Sequence, residues 1–314
     1  FSQGGMVPRW ALKYWPDTRG MVTDMIGIDP SNHGTLDAYP VCGPGCVPAF
    51  WQQRTGSRFL AALDGALAGR AAGRPVGPAA AAVEPVRATV RLLVGQRRST
   101  LAADGLLRWA GIVSLIVAAV LAAAVVPLGE RPLVDLSVGV VWFNAMEVVA
   151  WAAVWLVGWG PNGALSLVGG DRFVAQGLSY ELPHMFAIIT AALAAGSLRI
   201  TDIVDAQAGL WFVVLMPAAF VAYLLSAAAM AFWGPFDAPV ARDTAGGAGS
   251  ELAGVDRLLF AGGRRLLLVA AAAMAVPLFL GGGHGPWLPA WAWVLLKTAA
   301  VLVVLVWLRH RLPT

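Results

Sequence analysis

The chain has 314 residues, 58% of them hydrophobic and 13% charged, with a formal net charge of +4 and a mean hydropathy of +0.69. Apolar windows of about 20 residues recur, the length needed to cross a bilayer, so a soluble all-α domain is set aside. No basic run is interleaved with aromatics, which argues against nucleic-acid binding; 2 Cys make no disulfide framework; and 14 Trp suit anchoring at membrane interfaces.

Residues 1–57 are polar and rich in Pro, Gly, Trp and Asp, and are expected to form an irregular N-terminal segment. The chain starts at Phe1, as a processed chain or a fragment does, and shows no signal-peptide pattern. Within "HGTLDAYPVCGPGC", His33, Cys42 and Cys46 supply only three of the four ligands of a structural zinc site. They are read as reduced thiols and a histidine in a Pro/Gly loop, and no metal is expected.

A small-residue helix is predicted over about 58–77, running into a Gly/Pro turn. In "AAAAVEPVRATVRLLV", 79–94, Glu84, Arg87 and Arg91 share one helical face, which predicts an amphipathic helix on the membrane surface, kinked at Pro85.

Six spans are predicted, over about 107–128, 137–159, 183–198, 208–233, 265–281 and 290–308. Prolines 183, 217 and 277 lie in or at them, as membrane helices tolerate. Basic residues crowd the segment before the first span, the loop at 234–264 and the tail, whereas the loop after the first span holds only Arg131 and the loop 282–289 holds none. That alternation places both termini in the cytoplasm. The loops 160–182 and 234–264 then share the cytoplasmic face. No internal repeat is evident, which argues against an inverted-repeat transporter.

Ionisable groups inside spans cost about 2.5–3.5 kcal/mol at the centre and mark functional sites. Glu147 lies within "VVWFNAMEVVAWAAVW" and Lys297 within "AWVLLKTAAVLVVLVW". They are read as parts of a polar axis for protons, or else as one internal ion pair, or Lys297 as a residue reaching for an interface. His184, after Pro183, is read as a hydrogen-bonded structural residue. In "RFVAQGLSYELPHMF", Glu181 is placed at the cytoplasmic mouth of the third span, a carboxylate suited either to proton exchange or to a helix start. The Gly-rich loop 234–264 carries Asp237, Asp243, Glu251 and Asp256 on that same face.

The blocks "GRAAGRPVGP", "GWGPNGALSLVGGDRFVAQGLSYELP", "GPFDAP…SELAG" and "LFLGGGHGPWLPAWAWVLLKTAAVLVVLVWLRHRLP" come in this order. In them the chain resembles the H-type membrane subunit of bacterial respiratory complex I (NADH:quinone oxidoreductase) and the related membrane anchors of energy-converting hydrogenases and formate hydrogenlyase, over residues 60–313. The resemblance implies an all-α polytopic protein of the inner (plasma) membrane, with the family's membrane domain at 58–314. It implies a part in the quinone chamber and in coupling quinone reduction to proton movement. The partners implied are other membrane subunits and a hydrophilic redox arm. The chain itself is expected to bind no cofactor or metal and to have no catalysis alone, with quinone as substrate of the complex.

On the family pattern Arg74 and Pro78 match a loop beside the chamber, and Gln176, Ser179, Tyr180 and Glu181 match its "AQ-x-x-SYE" block. Quinone-chamber residues are thus Arg74, Pro78, Gln176, Tyr180 and Asp237; proton-pathway residues are Glu147, Glu181, Glu251 and Lys297. Departures accompany these matches. Met230 to Gly234 replace the polar residues that the family carries before Asp237, and Val240, Arg242 and Thr244 stand where it carries carboxylates. The family's first and last spans are not found. An anchor in a hydrogenase-type complex, a non-redox scaffold and an ion channel or transporter are the competing readings.

Overall fold

The structure is a computed structural model and describes residues 78–96, 99–100, 102–240 and 247–311. Arg74, the pair Cys42 and Cys46, the N-terminal segment, the predicted helix over 58–77, Arg242 and Thr244 lie outside the described residues.

The described elements are helical: α1 Pro78–Val94, α2 Gly105–Ala124, α3 Gly139–Trp159, α4 Ala164–Ala195, α5 Ile200–Asp205, α6 Phe212–Leu215, α7 Pro217–Met230, a 3₁₀ turn at Ala238–Val240, α8 Gly254–Phe279 and α9 Ala290–Arg311. The chain divides into two compact units between Ala88 and Thr89. The expected amphipathic helix is present as α1 and runs on through Pro85. Among the described residues, five helices are long and apolar enough to cross a membrane: α2, α3, α4, α8 and α9.

Local chemistry sets the helix ends. Asp104 caps α2, its carboxylate accepting from the amides of Leu106 and Leu107. α4 ends at Gly196, whose φ of 67° is the left-handed geometry glycine adopts at little cost. α7 opens on Pro217, whose missing N–H costs nothing in the first turn.

Three expectations are corrected. Residues 160–182 are not a loop: α4 runs for 32 residues and takes in all but the first few of them. At 1.5 Å per residue it is about 48 Å long, well beyond the hydrocarbon layer. The run "GALSLVGGDRF" is too rich in glycine and charge to read as part of a span, but Gly169 and Gly170 face neighbouring backbone. The predicted fourth span, 208–233, is not one helix: it holds α6 and α7, broken at Met216 just before Pro217, and the short α5 precedes it. The stretch nevertheless runs along the length of α8: Gln207 bonds to the Pro277 carbonyl, Tyr223 to that of Ala271, and Arg264 to that of Ala231. Finally, α8 starts at Gly254, so the last part of the predicted loop 234–264 is helix.

Small residues let these helices approach at backbone distance, as membrane packing favours. A Cβ on Gly111 of α2 would lie 2.6 Å from the Ala153 carbonyl of α3, and one on Gly158 2.7 Å from the Ser166 carbonyl of α4. α8, rich in alanine, is the most enclosed span.

The two ends differ in charge. At one end the Asp104 amide bonds the Gly160 carbonyl, Arg108 pairs with Asp256 at 3.4 Å, and Arg309 lies over Trp233. That end also carries Arg257, Arg264 and Arg265. The other end joins 125–138, 196–211 and 280–289 and bears Arg131 and Arg199. Gln207 ties this second end together. Its side-chain amide donates to the carbonyls of Ile203 and Pro277 and accepts from the amides of Phe212 and Gly281. Replacing Gln207 by Leu leaves two buried amides without acceptors; a destabilisation of about 2 kcal/mol or more is expected, read as a lowered Tm of the detergent-solubilised protein beside an exposed control such as Leu193→Ala.

Candidate functional site

The site lies on the α3–α4 contact. Gly158 meets Gly170, and Gly177 would place a Cβ 2.7 Å from the Trp151 ring. These close approaches fix an antiparallel register in which Glu147 stands level with Glu181, and Asn144 with His184. Asn144 and Glu147 are three residues apart on α3, and Glu181 and His184 three apart on α4, so each pair shares a face.

Two carboxylates at one level repel, and here each leans diagonally away from the other. Glu181 Oε1 accepts from Asn144 Nδ2 at 3.0 Å. Glu147 Oε1 lies 2.9 Å from His184 Nε2, and both side chains are fully buried. The other ring nitrogen, Nδ1, is 2.8 Å from Ser226 Oγ on α7. Ser226 Oγ is in turn 2.9 Å from the carbonyls of Ala222 and Tyr223. The imidazole sits between the rings of Phe143 and Tyr223. Beside it, Trp151 Nε1 donates to the buried Tyr180 hydroxyl at 2.7 Å.

Several buried acceptor atoms in this group have no hydrogen-bond partner among the described residues: both oxygens of Glu147, Glu181 Oε2 and Asn144 Oδ1. A group of buried acceptors without an aligned hydrogen bond is suited to holding protons or water rather than to stabilising the fold.

Glu181 is therefore not at the mouth of a span. It lies level with Glu147, about 18 Å along from the Trp159 end of α3 at 1.5 Å per residue. Gln176, further along α4, donates to the carbonyls of Ala229 and Phe236, and so pins the turn that carries the half-buried Asp237. Glu251 is in the turn before α8, next to Gly163 at the start of α4. Pro78 is the first residue of α1. Ser179 bonds its own helix, to the Ala175 carbonyl.

Lys297 does not join the carboxylates. Its ammonium donates to the carbonyls of Leu280, Gly282 and His284 at 2.7–2.9 Å, and lies 4.1 Å from the Trp211 ring centroid. All three N–H groups are thereby used on the chain end that leaves α8, which is how a cation completes a helix C-terminus. An open apolar groove of about 330 Å³, lined by Val148, Trp151, Ala152, Trp155 and Val174, runs along the outer side of the same two helices.

Sequence reasoning misses Asn144 and Ser226. Asn144 carries a signal, a lone amide three residues before Glu147 in an otherwise apolar run. Ser226 carries none, because a serine in an alanine-rich helix looks like any small residue.

A model of the NADH dehydrogenase family matches residues 58–314. The chain is 36% identical over 242 residues to an H-type subunit (form 1) of the NADH-quinone oxidoreductase of Geobacter metallireducens, with 74% of each chain covered. It is 39% identical over 231 residues to an H-type subunit (form 2) of the NADH-quinone oxidoreductase of Rhodopseudomonas palustris, covering 72% of this chain and 71% of that one.

The role of Lys297 is open to direct test. Lys297→Met removes the donor from three carbonyls, and a loss of about 2 kcal/mol is expected from hydrogen bonds to a charged group. A lowered Tm in detergent, with Glu147→Gln adding independently to it, is the expected result.

Proposed function

Because the chain belongs to the NADH dehydrogenase family, as a membrane subunit of the complex I type, we propose that it forms part of a quinone chamber. On this reading it couples quinone reduction to proton movement through Glu147 and Glu181. The observation that supports it most is the level pair of carboxylates, with acceptor oxygens left unpaired among the described residues. Buried ionisable groups are costly in a bilayer and are kept where protons or ions move.

Around that pair the other residues take graded roles. Gln176 holds the turn bearing Asp237, and Tyr180 precedes Glu181 on the same helix, which suits both to a chamber wall. Arg74 and Pro78, the latter the first residue of α1, are assigned to the chamber from the family pattern alone. Glu251 is an entry carboxylate at the basic end, which we assign to the cytoplasmic face of the plasma membrane with both termini. Lys297 is assigned to the clamp described above. Electron transfer falls to a hydrophilic redox arm, proton translocation is shared with other membrane subunits, and quinone is the substrate of the assembly. The chain on its own supplies no cofactor and no turnover.

A second reading, an anchor in a hydrogenase-type or formate hydrogenlyase-type complex, or a scaffold without coupling, is favoured by one observation. Before Asp237 the chain carries the buried residues Met230 and Phe232 and the ring of Trp233, with no carboxylate among them. The test uses the assembly purified in gentle detergent from its own host through a tag on this chain. With iron–sulfur subunits co-purifying, Glu181→Gln is expected to leave assembly intact and to slow quinone-linked proton translocation by about 100-fold, the scale of a lost proton-transfer group. Intact assembly with unchanged translocation would favour the scaffold.

A further inference from the structure

We infer that His184 is a proton-relay residue, taking the proton of Glu147 through Nε2 and so allowing that carboxylate to ionise inside the membrane. The inference rests on the proton-coupling reading of the carboxylate pair and names the group through which it works.

The argument starts from Ser226. Its hydroxyl has one hydrogen, and two carbonyls of its own helix, those of Ala222 and Tyr223, lie at 2.9 Å to receive it. The oxygen then offers a lone pair to His184, 2.8 Å away. With the hydroxyl hydrogen directed to either carbonyl, Nδ1 carries the hydrogen in that contact. In the neutral ring the basic nitrogen is consequently Nε2, the one facing Glu147 at 2.9 Å. Ser226 bonds one edge of the imidazole, and the rings of Phe143 and Tyr223 lie 6.4 and 4.9 Å from it between centroids.

The step is a single proton transfer. The O–H bond of Glu147 breaks, the lone pair of Nε2 forms the new N–H bond, and a neutral acid–imidazole pair becomes a carboxylate–imidazolium pair. Net charge does not change, no electron moves and no co-reactant is needed. Without the imidazole, ionising a fully buried carboxylate would leave an isolated charge, a state that the enclosed site disfavours strongly. The contact is close but not aligned as a hydrogen bond, since neither Glu147 Oε1 nor His184 Nε2 is satisfied. Such pairs commonly align only in the working state. The titratable groups about the ring are Glu147 from α3, Glu181 and Tyr180 from its own helix, and Tyr223 from α7; α8 contributes the Ala271 carbonyl, which Tyr223 occupies.

The experiment uses the whole assembly in proteoliposomes, with His184→Leu, His184→Gln and Glu147→Gln. Two readouts are taken: proton translocation, and the infrared C=O band of the protonated Glu147 carboxyl, assigned by its loss in Glu147→Gln. The wild-type band is expected below full height, because transfer to Nε2 leaves part of the population as carboxylate. In His184→Leu the band should rise above its wild-type height, with translocation down about 100-fold. His184→Gln, which keeps a hydrogen-bonding group but no base, should behave like His184→Leu. In the Glu147→Gln background, His184→Leu should add no further loss. A Glu147 band in His184→Leu no taller than in wild type overturns the inference, as does a His184→Gln protein that translocates like wild type. A Glu147→Gln protein with normal translocation would instead sink the coupling reading, and the infrared result on His184 is read separately from it.

Discussion

Everything at the site depends on how closely α3 and α4 approach. Asn144, Glu147, Glu181 and His184 meet only because the helices cross where glycine replaces side chain: Gly158 against Gly170, and Gly177 against the Trp151 ring. Each residue along a helix turns the face by about 100°. A change of register by one position would therefore rotate Glu147 away from His184 and towards neighbouring lipid or helix. In a bilayer such an error has no cheap relief, because no water is there to solvate a misplaced carboxylate. Small residues and buried charge are thus one design: the first sets the register, and the second is tolerable only in it.

The polar groups in the membrane layer fall into two kinds by how completely the chain satisfies them. Gln207 makes four bonds to backbone across the break between α5 and α6, and Lys297 makes three where the chain leaves α8. Irregular backbone at such a depth is stable only where something closes its open hydrogen bonds, and these two side chains do that. Glu147, Glu181 and Asn144 are the opposite case, holding acceptor atoms that nothing among the described residues completes. Saturation argues for a role in holding the fold, and unsaturation for exchange with something that comes and goes. The distinction separates Lys297 from Glu147, two residues that look alike as lone charges in apolar runs.

That distinction is not legible in the sequence. Hydropathy yields the all-α membrane class, with five helices among the described residues long and apolar enough to cross a membrane, and the ordered blocks yield the resemblance that the family match bears out. Local composition misleads at α4, where "GGDRF" looks like loop because glycine and charge are weighed without their neighbours. Its glycines serve close packing, and Trp155 Nε1 donates to Asp171 at 3.3 Å. The same misreading puts Glu181 at a span mouth. The i, i+3 spacings of Asn144 with Glu147 and of Glu181 with His184 are visible in the sequence, but which pair faces which is a fact of helix register.

The turn before Asp237 shows how a changed sequence can keep a position. The resemblance leads one to expect polar and charged residues there; the chain has Phe232, Trp233 and Gly234. The guanidinium of Arg264 lies 5.1 Å from the Phe232 ring centroid and 5.7 Å from that of Trp233, and Arg309 lies 4.6 Å from Trp233 on the α9 side. Arginine over an aromatic face is attracted by the ring quadrupole, and more so when partly desolvated. Gln176 holds the far side of the same turn through the Phe236 carbonyl. The turn is thus fixed by cation–aromatic stacking and an amide clamp, without a carboxylate in the run 230–234. The charge at the basic end therefore differs from the family pattern while Asp237 is kept. On the proton-coupling reading, those departures bear on how protons reach the carboxylate pair rather than on the pair itself.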